Sequence, residues 1–290
     1  MDSKNALGEY LRARRELVRP EDVGLVPGGR RRVPGLRREE LALLSGISSD
    51  YYLRLEQGRD QCPSAQVVDA LASALRLDAD GAAYLHELAR PRKRRAPRTP
   101  PERVPAGVAM LLGSLTMPAF VQGRYMDVLA ANPIAQALSP NFRPGVNVLR
   151  ALFLDPADRE LHQDWERATK AVVAGLRASA GPDAAGDPRL ESLVGELSLR
   201  SERFRKLWAR HDVERRAGGT SHMLHPLVGT LHLRREKLAL NGVDGQLLVV
   251  YHAEPGSESA QALALLGSYA ATTEAGDPGS PLYSSGAEGR

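Results

Sequence analysis

RREELALLSGISSDYYLRLEQGR, residues Arg37 to Arg59, is the stretch on which the fold turns. Two apolar stripes at helical spacing flank a short polar step, which predicts two helices packed across a tight turn. Leu41, Ala42 and Leu44 are expected to face inward on the first helix, and the small Ala42 lets the second approach closely. Gly46 supplies the turn, where a Cβ would be strained at positive φ. Ile47 plugs the angle between the helices, and Ser48 suits an N-cap because its hydroxyl can accept from an otherwise unpaired backbone N–H. Tyr52 and Leu55 fall on the buried stripe, which leaves Ser49, Asp50 and Arg54 on the opposite side with Tyr51 next to them. A helix presented in this way can enter the major groove of double-stranded DNA.

The side chains fit that placement. Arginine donates two parallel hydrogen bonds to guanine, serine pairs with several base edges, and aspartate accepts from cytosine N4. Arg54 is therefore the first candidate for base reading. Asp50 and Arg54 are also four apart, so a surface ion pair worth a few tenths of a kcal/mol remains an alternative reading. Arg38, at the start of the first helix, and Arg59, after the second, are better placed for phosphate and would position the domain without specifying sequence. Periodicity alone does not separate this pair from one that never touches DNA.

Outward from the motif, residues 7 to 88 continue as short amphipathic helices, a small all-α bundle expected over residues 1–90. PRKRRAPRTPPERVP, from Pro91 to Pro105, has five prolines and dense positive charge, which deny the chain a core face. A linker is expected over 91–103. The 290 residues suit two compact units, and the charge divides between them. Residues 1–98 carry 19 Lys and Arg against 14 Asp and Glu, and the remainder 20 against 21, so the basic excess sits where phosphate is expected. With 42% hydrophobic and 26% charged residues and no apolar run of membrane-spanning length, no membrane role is indicated. The charged N-terminus lacks the apolar stretch of a secretory signal, which predicts a cytoplasmic location. The lone Cys62 offers neither an internal disulfide nor a thiolate metal site.

Beyond the linker the periodicity changes. AFVQGRYMDVLAAN reads as a hairpin about Gly123 and Arg124, followed by helices over 156–179 and 188–210. TLHLRREKLAL and QLLVVYHAE then alternate as strands joined by NGVDG, whose Asn-Gly and Asp-Gly steps supply positive φ. A last helix is expected about Ser257 to Tyr269, within a domain of residues 104–271, and a flexible tail over 272–290. Strands flanking helices indicate an α+β domain with an antiparallel sheet.

The Leu41-Ala42, Gly46 and Leu55-Glu56-Gln57-Gly58 spacing resembles the helix-turn-helix of phage-repressor-like (XRE) regulators. More narrowly, GRRRVPGLRREELALLSGISSDYYLRLEQGRDQCPSAQVVDALASAL, PAFVQGRYMDVLAANPIA and ALFLDPADRELHQDWERATKAVVAGLRA resemble the MmyB-like transcription regulators. The basic insertion from Arg19 to Arg32 departs from the general repressor pattern but not from the narrower family. Arg30, Arg31 and Arg32 within it are candidates for the DNA backbone or minor groove, against the alternative of a solvated loop. The resemblance implies a PAS-like C-terminal domain holding a small apolar, fatty-acid-like molecule, in a one-component regulator. A homodimer is expected because one short helix reads few bases.

Candidate ligand-lining residues are Phe120, Tyr125, Val128, Phe153, Trp165 and Leu197, together with Phe204, Trp208, Leu224, Leu248, Val250 and Tyr251. Any of them can equally be ordinary core. An acid head group would need a partner, for which Arg200 and His211 are candidates. No metal site is expected, since His222 and His225 lie three apart on a strand-like segment and point to different faces. No catalytic triad, phosphate loop or HExxH pattern occurs, so an enzyme fused to a DNA-binding domain is disfavoured. The remaining alternative is a DNA-binding protein whose second domain only dimerises or binds a partner protein.

Overall fold

Four polar residues open four N-terminal helices in the same manner, each side chain accepting the backbone N–H three residues on. In the computed structural model, which describes residues 5–25, 31, 33–90, 102–181, 187–215 and 218–275, Asn5 caps α1 (Ala6–Leu17). After α2 (Arg38–Leu44), Ser48 caps α3 (Ser49–Glu56), Ser64 caps α4 (Ala65–Ala74) and Asp78 caps α5 (Ala79–Leu88). One core holds all five, built around Leu7, Leu11, Leu36, Leu41, Tyr52, Leu55, Leu71 and Leu85. Leu44, expected inward, is 37% exposed, since Ala42 and Leu41 already fill the contact with α3.

The C-terminal part begins with α6 (Ala106–Ser114), β1 (Ala119–Gln122) and β2 (Val128–Ala131). Helices α7 (Pro133–Leu138), α8 (Val148–Leu154), α9 (Pro156–Leu161), α10 (Trp165–Ala180), α11 (Pro188–Arg200) and α12 (Glu202–Ala209) follow. Proline opens α7, α9 and α11, where its missing N–H costs nothing. The chain then forms β3 (Gly218–His225), β4 (Gly229–Ala239), β5 (Leu247–His252) and α13 (Glu258–Ala275). The five strands make one antiparallel sheet in the order β2-β1-β5-β4-β3. Gly242 and Gly245 of the NGVDG turn have φ of +84° and +76°.

Each face of the sheet has its own cover. Phe120, Val128, Met223, Leu231, Leu233, Val249 and Tyr251 pack beneath α7 and α13 through Ala135, Leu138 and Leu266. The opposite face buries Ala119, Val121, Leu248 and Val250 against Leu112 of α6. A third cluster joins α8, α10, α11 and α12 to Tyr125 and Met126.

Several expected boundaries move. The helix expected over 156–179 breaks between α9 and α10, where His162 bridges to Met223 of β3, and the one over 188–210 breaks at Ser201, which caps α12. The final helix runs through Ala275, so a tail boundary at 272 falls inside it. Residues 91–101 of the expected linker and 276–290 of the expected tail lie outside the described residues.

Candidate functional site

Gly46 has φ of +66°, and the turn it makes aims α3 away from the bundle. The Ser48 hydroxyl accepts from Tyr51 N at 3.1 Å and fixes where the helix starts. Tyr52 and Leu55 are fully buried, whereas Ser48, Ser49, Asp50 and Arg54 are exposed and Tyr51 is half-buried. Arg54 lies 3.3 Å from Asp50 and over the Tyr51 ring at 5.6 Å, with half of its side chain open to solvent. An exposed i,i+4 pair of this kind is weak enough to yield to a base edge. Exposed Arg59 follows the helix, its N–H bonded to Arg54 O at 2.9 Å.

Glu56, at the end of α3, is buried and receives Arg15 Nε of α1 at 2.8 Å and Arg38 Nε of α2 at 2.7 Å. Burial opposes its ionisation, but the hydrogen bonds from Arg38 and Arg15 outweigh burial and hold the carboxyl below the usual glutamate range. Gly58 has φ of +68°, and Asn5 reaches over it to donate to Glu56 O at 2.8 Å. The Leu-Glu-Gln-Gly step is thus a clamp that ties three helices behind the exposed face. Arg38, expected at phosphate, has its Nε committed to Glu56 and keeps half of its side chain exposed. Arg31, expected at DNA, instead donates to both Glu40 oxygens, at 2.8 and 2.7 Å, and to Gly35 O at 3.0 Å. Both terminal nitrogens of its guanidinium are thus engaged within the protein, while Nε is buried without a hydrogen-bond partner among the described residues. Arg30 and Arg32 lie outside the described residues.

The expected ligand-lining residues do not surround one space. Tyr125, Phe153, Trp165, Leu197, Phe204 and Trp208 gather among α8 and α10–α12. Phe120, Val128 and Tyr251 belong to the inner sheet face, and Leu248 and Val250 to the outer one. Leu224 is 51% exposed. Arg200 is exposed and paired with Glu196 at 3.2 Å, away from any apolar enclosure. His211 is buried, but against the N-terminal domain rather than inside its own.

Between α10 and strands β3 and β4 lies a cleft of about 160 Å³, with Arg235, Lys237 and His222 on the sheet side and Ala168, Ala171 and Gly175 on the helix. Burial and Arg235 push the pKa of Lys237 down to about 8, with Glu214 opposing them. The period-2 pattern of TLHLRREKLAL carried this signal, because Arg235 and Lys237 fall in register with inward Leu231 and Leu233.

The opposite face of α10 meets the DNA-binding domain. Arg177 donates to Trp208 O at 2.6 Å and lies 3.0 Å from His211 Nδ1, and His211 packs edge-on to Tyr10 of α1. Arg14 of α1 pairs with Asp212, Arg215 pairs with Glu87 of α5 at 2.6 Å, and Val213 enters the core of the helical domain. Segment 211–215 therefore bridges the two domains beside α10, whose Ala178 also packs on the helical core.

An outward helix locked to its bundle, joined to a sheet domain with a ligand-sized cleft, defines a DNA-binding transcription regulator. The model for a helix-turn-helix domain matches residues 6–85, and that for the MmyB-like transcription regulator ligand binding domain matches residues 104–266. The chain belongs to the MmyB-like transcription regulators. No curated protein matches it. No helix among the described residues is long and apolar enough to cross a membrane.

Proposed function

We propose that the protein is a cytoplasmic one-component regulator in which a small apolar, fatty-acid-like ligand in the C-terminal domain alters how a homodimer holds its operator. The observation that carries this reading is the back-to-back use of α10. One side lines the cleft through Gly175, and the other holds the DNA-binding domain through Arg177 and Ala174. A ligand can act only through different affinity for two arrangements, and α10 is where the arrangement can be felt. The strand order β2-β1-β5-β4-β3 supports a PAS-like reading of the sensor, and the exposed Ser49, Asp50 and Arg54 support XRE-type major-groove reading. At 8 residues α3 makes about two turns, too few for a long site, which favours two half-sites about 34 Å apart.

Fluorescence anisotropy on a fragment of the protein's own promoter tests the DNA role. Sequence-selective binding that Arg54→Ala weakens is expected, and binding without selectivity would remove the reading. Native mass spectrometry tests the ligand. No extractable small molecule and no saturable lipid binding would leave the C-terminal domain with dimerisation or a partner protein as its role.

A further inference from the structure

Down β4 the inward register reads Leu231, Leu233, Arg235, Lys237, so two cations stand where alternation calls for apolar side chains. Strand partners make room for them. Arg235 faces Gly219 of β3, where an added Cβ would have Arg235 Nη2 as its nearest neighbour at 3.8 Å. Across the cleft, a Cβ on Gly175 would meet nothing closer than Lys237 Nζ and Met126 Cε, both at 3.9 Å. Glycine inside a helix costs about 1 kcal/mol relative to alanine. Packing does not demand it at this position of α10, and its absent side chain leaves space in front of the ammonium.

The charges themselves are under-compensated. Arg235 Nε is buried without a hydrogen-bond partner among the described residues. Asp164 on the cleft wall is already engaged, by Arg167 at 2.6 Å and by His222 at 3.2 Å. Glu214 attracts Lys237 without overcoming burial and Arg235. Cations held partly out of water are costly unless something opposes them, and an anion entering the cleft would do so.

We propose that this cleft is an anion-binding site, with Lys237 and Arg235 as charge partners for the carboxylate or phosphate head of the regulator's small ligand. The inference deepens the ligand reading above and rests on it for what is attached to that head. A cavity of about 150 Å³ holds benzene, so 160 Å³ takes a head of about six heavy atoms. On the helix side, Met126 Cε is the apolar atom that a Cβ on Gly175 would meet, at 3.9 Å.

Isothermal titration of the full chain with octanoate, octanol, acetate and inorganic phosphate tests the site, using wild type, Lys237→Met and Gly175→Leu. Lys237→Met removes the ammonium and keeps a flexible unbranched stem one atom shorter, and Gly175→Leu fills the cleft from the helix side, so the two variants remove binding by unrelated means. The expected result is saturable octanoate binding, at least tenfold weaker octanol binding, and loss of that preference in both variants. Equal affinity for octanoate and octanol, unchanged by Lys237→Met, overturns the anion site and leaves the apolar-ligand reading standing. Phosphate or acetate bound alone, and lost in both variants, keeps the anion site and removes the apolar reading. No saturable binding of any of the four overturns both.

Discussion

Nδ1 of His211 sits 3.0 Å from Nη1 of Arg177, and because a guanidinium can only donate, the imidazole nitrogen must present its lone pair. The histidine is therefore neutral at the domain junction. Burial is the largest cause, with Arg177 and Arg14 adding to it and Asp212 opposing, and together they push its pKa down to about 3. Tyr10 and Tyr84 complete the surroundings. A histidine released from the junction titrates near 6.5, so the released state binds the proton first. Docking of the two domains is unaffected above that pH and weakens by about 1.4 kcal/mol for each unit below it, down to the docked pKa. Small-angle scattering should show the radius of gyration rising from pH 6.5 to 5. His211→Asn should flatten that rise, since asparagine accepts from Arg177 and tolerates the φ of +54° at this position. An identical rise in the variant would assign the effect to another group.

Arg54 and Arg59 should fail differently. Arg54→Ala removes a base-edge donor and is expected to cost about 1–3 kcal/mol of discrimination, concentrated at one position of each half-site. Arg59→Ala should weaken all sequences alike and lower the slope of log K against log salt by about 1. Neither should move the melting temperature appreciably, because both side chains are exposed. Anisotropy titrations over a panel of single-base operator variants at several salt concentrations separate the two patterns, and indistinguishable losses would argue against α3 as the reading element.

Glu56→Ala strips the counter-charge from Arg15, which is itself buried. Breaking a buried pair from one side costs about 3–5 kcal/mol, a large part of the stability of a domain of this size. The wild-type clamp is also acid-sensitive. Its carboxyl titrates lower in the folded than in the unfolded chain, so its stabilisation is complete above the unfolded pKa and disappears as pH falls through the folded one. Calorimetry of wild type and variant between pH 3 and 7 should show the two melting curves converging toward the acid end.

The turn at Gly46, the Ser48 cap and the outward face of α3 were legible because every interaction that sets them spans only a few residues. Glu56 was not, since its partners lie 41 and 18 residues away and a glutamate near a helix end reads as solvated. The ligand-lining candidates scatter over three clusters for a different reason. β5 is buried on both faces, so Leu248, Val249, Val250 and Tyr251 form an unbroken apolar run from which alternation cannot choose a side. Val250 and Tyr251 are neighbours on β5 and so point to opposite faces of the sheet. His211 could not be assigned by any local pattern, because the groups around it come from α1 and α10.

Coupling between the sensor and the DNA-binding domain should run through residues 211–215. Glu214 N bonds Ala174 O of α10 at 3.4 Å, and the Glu214 side chain lines the cleft, so a displaced α10 carries this segment with it. The other ends of the segment grip the helical domain through Arg14–Asp212, Arg215–Glu87 and buried Val213. Any one of these contacts can be lost while the other two still hold the segment, so single changes are too mild to test the idea. Arg14→Gln, Val213→Ser and Arg215→Gln combined should release the junction while leaving α3 and the cleft intact. Ligand effects on a distant site commonly span about 5–150-fold in affinity. With octanoate as the probe, the triple variant should retain operator binding and octanoate binding separately, yet octanoate should change operator affinity less than about twofold. A full response in the triple variant would place the coupling in contacts between two copies of the chain instead of within one.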